Sequence, residues 1–226
     1  SFPDTQLLKN YRLSAKYDRE YNYDNSLKMS AIQAYFTFLT IYNTNVFYNY
    51  EYDFYNSHLM SEFKDYVNHY SRLSSRPFEF MDIQMSYAWG KDIAYREAIP
   101  QLGIRSNLDF QMAVNINNNL RVTPSINFEK LKKIDSNEYF FDGYIARLDF
   151  RYQFNTALNF RVISEYNEFS DKFFVQPLIS WRPNPDTIFY FGGNQNYVDE
   201  FIDYNSPNYM VNKTQLFLKF QYLIKS

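Results

Sequence analysis

The sequence predicts an all-β chain, an antiparallel up-and-down transmembrane β-barrel of about twelve strands with short periplasmic turns and longer extracellular loops. Three observations carry that expectation. Short stretches alternate apolar and polar residues, most clearly Leu108-Phe110-Met112-Val114-Ile116, Tyr144-Ala146-Leu148-Phe150-Tyr152 and Leu216-Leu218-Phe220-Tyr222-Ile224. A period of two puts one set of side chains on each face of a strand. The apolar set is largely aromatic: the 226 residues include 23 Tyr and 23 Phe, and aromatics reach 21%, well above an ordinary soluble domain. Finally, tight turns and longer connections alternate along the chain, the pattern of a bacterial barrel with both termini in the periplasm.

The elements follow in order. Strands are expected over 8–17, 27–40, 44–56, 63–73, 77–90, 103–116, 119–131, 141–154, 157–167, 172–182, 186–195 and 213–224. Met29 to Tyr50 carries no charge over 22 residues, the length of a membrane helix, but Asn43-Thr44-Asn45 interrupts it. Two strands around a tight turn at Tyr42-Asn43-Thr44 account for it better. Strand 63–73 alternates poorly. The other tight turns are Ser74-Ser75-Arg76-Pro77, Asn117-Asn118, Asn155-Thr156 and Pro183-Asn184-Pro185-Asp186, each rich in turn formers. Longer connections fall at 18–26, 57–62, 91–102, 132–140, 168–171 and 196–212. Pro124 and Pro177 fall inside strands and each removes a ladder donor, which calls for a bulge or a place at the membrane interface.

Which face is wet decides the class. In a soluble sandwich the apolar face is the core; in an outer-membrane barrel it meets lipid and the polar face lines the lumen. A mean hydropathy of −0.52 fits either, because half of every barrel strand is polar. The expected outward girdle comprises Tyr48, Tyr50, Tyr52, Tyr87, Trp89, Tyr144, Tyr152, Trp181 and Tyr222. The expected lumen lining comprises Arg121, Glu129, Arg147, Asp149, Arg151, Arg161, Glu165, Arg182 and Lys219. Lys172, Asp82, Gln84, Asn107, Asp109 and Gln111 fall on the same polar face. Mixed charges of this kind pair and fill a narrow lumen, or line a selective pore, with no strong preference of sign.

Chemistry is sparse. A net charge of −2 without a basic stripe speaks against nucleic acid as a partner. Cysteine is absent, which excludes disulfides, thiol catalysis and Cys-ligated metals. No nucleophile elbow, zinc spacing or phosphate loop occurs, so no catalytic residue, metal or cofactor is expected. Asp199, Glu200 and Asp203 read as solvated acids of a long loop. The two histidines are His58, in an expected loop, and His69, two residues from Ser71. A membrane-embedded hydrolase would need one of them to meet a nucleophile. A soluble carbohydrate-binding sandwich is the other alternative. The first residue is Ser and no signal peptide is present, which reads as a mature product or the C-terminal part of a larger barrel. Residues 1–226 otherwise read as a single barrel domain.

Two segments carry a family resemblance: Tyr144 to Gly193, "YIARLDFRYQFNTALNFRVISEYNEFSDKFFVQPLISWRPNPDTIFYFGG", and Lys213 to Ser226, "KTQLFLKFQYLIKS". Their wording resembles a Bacteroidota family of unknown function, in which a family-9-like carbohydrate-binding module precedes a large outer-membrane β-barrel. Residues 74–131 resemble it more loosely. The resemblance covers the barrel part. It implies a bacterial outer-membrane location, with membrane lipid and other outer-membrane or periplasmic proteins as partners, and no catalytic residues. The expected role is therefore that of a scaffold, a partner in a surface complex or a narrow channel.

Overall fold

A computed structural model of the chain describes residues 8–41, 43–58, 61–199 and 209–223. It is all-β: β1 (Leu8–Tyr21), β2 (Leu27–Thr40), β3 (Asn45–His58), β4 (Ser61–Phe78), β5 (Met81–Ile93), β6 (Leu102–Asn115), β7 (Leu120–Lys133), β8 (Tyr139–Gln153), β9 (Leu158–Asn167), β10 (Lys172–Asn184), β11 (Thr187–Asp199) and β12 (Tyr209–Tyr222). A 3-10 turn, Glu168–Ser170, joins β9 to β10. The strands add in chain order to one antiparallel sheet, an up-and-down meander. The uncharged run from Met29 to Tyr50 is the β2–β3 hairpin, and no helix among the described residues is long and apolar enough to cross a membrane.

Several boundaries differ from the sequence expectation. β4 continues through Ser74-Ser75-Arg76-Pro77, and the chain turns at Glu79-Phe80, with Phe78 opposite Met81. The register shifts between Ser75 and Phe78, which spares the sheet a ladder bond from Pro77. Beyond the turn formers, side-chain contacts hold this hairpin end: Phe78 and Phe80 stack at 5.3 Å, and Arg76 Nε lies 2.6 Å from Asp82. β1 extends to Tyr21, and β3 includes His58 as its last residue. β11 and β12 reach toward each other, so Asp199 ends a strand, while Glu200 and Asp203 lie outside the described residues. Pro177 needs no bulge: it pairs with Val162 in unbroken register, since its fixed φ suits a strand and only one donor is lost.

Three other short turns share one device. The side-chain oxygen of Asn117 accepts the backbone N–H groups of Asn119 and Leu120, and that of Asn155 accepts those of Ala157 and Leu158. Asn184 accepts the N–H of Asp186. Each asparagine satisfies donors that the turn takes out of the ladder and thereby fixes the register of the hairpin behind it.

The chain divides into two compact units, Ser1–Phe110 with Asn127–Gly143, and Gln111–Ile126 with Tyr144–Ser226. In the first, register places Tyr11, Leu13 and Tyr17 of β1 opposite Phe38, Phe36 and Ile32 of β2. That face continues through Tyr48, Tyr50 and Tyr52 of β3, His69 and Ser71 of β4, and Tyr87 and Trp89 of β5. Ala31, Asp53, Tyr66 and Ala88 belong to the other face, and all four are buried. A small cluster of Phe63, Tyr66 and Ile93, with Leu102 against it, is the nearest thing to a core. No large side chain among the described residues is completely buried.

Gly90 closes one tight approach in this unit. Its φ is +128°, and a Cβ there would lie 2.3 Å from the Val67 carbonyl oxygen. Gly90→Ala is expected to cost about 2–3 kcal/mol through backbone strain and this clash. A denaturant titration of the folded chain reads it, and a change below about 0.5 kcal/mol contradicts the geometry.

Candidate functional site

The two faces of the sheet differ in kind, and the contrast is sharpest in the second unit. Register puts Ala146, Leu148, Phe150 and Tyr152 of β8 on one face with Tyr166, Ser164, Val162 and Phe160 of β9. Phe173, Pro177, Ile179 and Trp181 of β10 follow, then Phe189 and Phe191 of β11 and Leu216, Leu218 and Phe220 of β12. Its aromatics collect toward the two strand ends. At the short-turn end Tyr152 meets Phe154 at 4.8 Å, Trp181 stacks on Phe189 at 5.3 Å, and Phe189 meets Phe220 at 5.1 Å. Tyr222 continues the row, opposite Thr187. At the long-loop end Tyr144 packs on Tyr166 and Phe173 on Tyr197, each pair at 5.8 Å. Tyr144 and Tyr152 are separated along β8 by roughly 26 Å, taking about 3.3 Å per residue. Between the rows the face is mostly aliphatic.

In the first unit Tyr48, Tyr50, Tyr52, Tyr87 and Trp89 share the apolar face but lie toward mid-strand rather than in an end row. Tyr48, Tyr50 and Trp89 pack against His69, whose ring stacks on Trp89 at 4.9 Å and 11°. The Tyr48 hydroxyl lies 2.7 Å from His69 Nδ1. Ser71 shares that face, yet its hydroxyl donates to the Tyr87 carbonyl, so the two do not form a Ser–His pair. His58, at the end of β3, meets the Tyr95 ring edge-on at 4.8 Å. Burial pushes the Tyr95 hydroxyl above its ordinary pKa, and the Asp92 carboxylate adds to this. Sequence reasoning assigned His58 to a loop; it is the last residue of β3, and β4 starts at Ser61.

The polar face gathers the charges. Arg147 sits directly across from Glu165, and the two pair at 3.3 Å. One rung nearer the short turn, Asp149 faces the buried Ile163 and holds Arg151 in its own strand by two bonds of 2.9 and 2.8 Å. The next rung sets Arg151 opposite Arg161. Arg182 and Lys219 are on the same face, with Lys219 over the Tyr190 ring at 5.8 Å. Lys172 joins them from the start of β10. Arg121 comes from β7 and lines a cleft of about 660 Å³ together with Arg151, Arg161 and Arg182.

Glu129 lies in the part of β7 assigned to the first unit, two residues from Asn127, whose amide donates to Asp109. Asp109 also accepts from Ser86, and the Asn107 side chain accepts the Lys130 backbone N–H. Asp82 carries the Arg76 ion pair, while Gln84 and Gln111 occupy the same faces of β5 and β6 as Ser86 and Asp109. Sequence reasoning missed Arg105–Asp92 at 3.0 Å and Lys130–Asp142 at 2.7 Å. The signal was present as opposite charges near facing strand ends, but the pairing needs a register that alternation leaves open.

Such rungs neutralise charge across strands, and at partly exposed sites each contributes little. The arginines at the short-turn end depart from that balance. No protein-family model and no curated protein matches the chain. Glu165→Gln is expected to lower stability by about 0.2–1 kcal/mol, with a double-mutant cycle against Arg147→Gln returning a coupling of that size. Zero coupling contradicts the rung.

Proposed function

We propose that this chain is a bacterial outer-membrane β-barrel without chemistry of its own, acting as a scaffold or partner in a surface complex or as a narrow channel. The observation that carries the reading is the reversal of burial between the two faces. On interior strands Leu148, Ile179 and Phe191 of the apolar face are 43%, 40% and 53% exposed, while Asp53 on the polar face is 4% exposed. Burying one large apolar side chain is worth about 1.5–3 kcal/mol. Leaving Leu13, Ile179, Phe191, Leu216, Leu218 and Phe220 in water forgoes on the order of 10 kcal/mol, as much as the whole net stability of a domain. Lipid removes that cost.

Three further features support the reading. The aromatic rows of the second unit match the interfacial girdles of such barrels, with an aliphatic band between them. The strands are 10–18 residues long, enough to cross a bilayer at a tilt. The twelve described strands put the start of β1 and the end of β12 on one side, although the connections do not alternate strictly in length: two residues separate β3 from β4, as they do β4 from β5, and four separate β9 from β10, as they do β8 from β9. The wording of residues 144–193 and 213–226, similar to a Bacteroidota barrel family, points the same way.

Two measurements test it. Detergent-extracted protein run without boiling is expected to migrate away from the 27.4 kDa position of the boiled chain. In lipid vesicles Leu216→Arg, mid-strand on the apolar face, is expected to lower folding stability by about 2–4 kcal/mol. Gln176→Arg, on the polar face, is expected to cost less than about 1 kcal/mol. Protein that stays soluble without detergent and tolerates Leu216→Arg would overturn the membrane reading in favour of a soluble sandwich.

A further inference from the structure

The arginines at the short-turn end of the second unit's polar face are arranged at a cost. Arg151 and Arg161 are direct cross-strand partners, and like charges in that position repel. The next rungs have no such defect, since Arg147 faces Glu165 and Asp149 faces Ile163. Asp149 spends both oxygens on Arg151. Arg121, Arg161 and Arg182 make no direct ion pair among the described residues, although the Asp149 carboxylate also acts on Arg161 at longer range, and Arg161 Nε is buried without a hydrogen-bond partner. All four arginines line the cleft of about 660 Å³, and no acidic residue does. Asn159, Ser180 and Tyr190 add amide and hydroxyl groups to its wall.

We propose that this cleft binds a small oxyanion carrying at least two carboxylate or phosphate groups. Guanidinium forks pair with either group through two parallel N–H···O bonds, and an anion between Arg151 and Arg161 turns a repelling rung into a bridged one. Three guanidiniums beyond the one that Asp149 neutralises call for more than a single negative charge. The volume is that of a site for a small molecule, not a macromolecular groove. The wall also carries Leu120, Phe160, Leu178 and Ile188, so the four guanidiniums, with the amide and hydroxyl groups beside them, select for charge while these side chains bound the space. The cleft lies within one compact unit, so the site does not depend on what medium meets the apolar face. If the chain is an outer-membrane barrel, the short-turn end is periplasmic, and the ligand arrives from that side.

The test is calorimetric titration of the folded full chain with pyrophosphate and with citrate, using glucose as the neutral control. One site of sub-millimolar affinity is expected for at least one of the two anions, and none for glucose. Preference for pyrophosphate assigns a phosphate-bearing ligand; preference for citrate assigns a polycarboxylate. The double variant Arg161→Gln/Arg182→Gln should lose at least tenfold in affinity, and Arg182→Gln alone carries the test if the double variant misfolds. Arg161→Lys, which keeps the charge but loses the fork, should retain part of the binding. Asp149→Asn releases Arg151 and should tighten binding severalfold, an effect that a merely structural carboxylate does not produce. Absence of binding to both anions at millimolar concentration overturns the proposal, as does wild-type affinity in the arginine variants. Either result leaves the heat-shift and vesicle tests of the membrane reading untouched.

Discussion

Everything in this chain hangs on the register between neighbouring antiparallel strands, because the side-chain period is two and a slip of one residue exchanges the faces. Register here is pinned at the short turns, where Asn117, Asn155 and Asn184 take up backbone donors that the ladder cannot use. With those hairpins closed correctly, Phe160, Ile179 and Phe191 fall in line on one face, and Arg161, Leu178 and Gly192 on the other. The aromatic rows, the paired charges and the arginine cleft are three consequences of one alignment. Loss of it would put Arg161 among the aromatics, which neither lipid nor an apolar core accepts without penalty.

The same alignment distributes charge unevenly. Where opposite charges face each other, as in Arg147–Glu165, the rung is self-sufficient and contributes modestly. Where they do not, as at Arg151 and Arg161, the sheet carries a local positive field that Asp149 offsets only in part. The sequence composition, with 23 basic and 25 acidic side chains, conceals this asymmetry completely. A near-neutral chain can still hold a strongly cationic end, because strand pairing decides which charges become neighbours.

Eleven of the twelve strands were legible from alternation and turn residues, and so was the membership of the two faces within most of them; 63–73, within β4, alternates poorly and was placed partly by the order of short and long connections. The hairpin geometry was less so. Ending β8 at Phe154 and starting β9 at Ala157 implies a register in which Arg151 meets Phe160; the turn takes one extra residue on the β9 side, Gln153 pairs with Asn159, and Arg151 meets Arg161 instead. Likewise Ser74 to Pro77 has the composition of a turn, yet β4 continues through it, because the contacts of Phe78, Phe80 and Arg76 hold the chain turn further on. Local propensity names a turn segment; long-range packing fixes where it bends. Asp53 and Tyr66, which face each other and are both buried, gave no signal at all, since a buried carboxylate on a polar face looks like any other acid in sequence.

The central claim is that lipid covers the aromatic face. The chain has two tryptophans, Trp89 and Trp181, and register puts both on that face, one in each unit. Tryptophan fluorescence of the protein folded into vesicles, with bromine placed on the lipid acyl chains, reads the claim without any substitution. Strong quenching by the brominated lipid, together with protection from aqueous iodide, is the result this account predicts. Efficient quenching by iodide with no effect of brominated lipid would mean that the aromatic face meets water or protein, and the account would be contradicted.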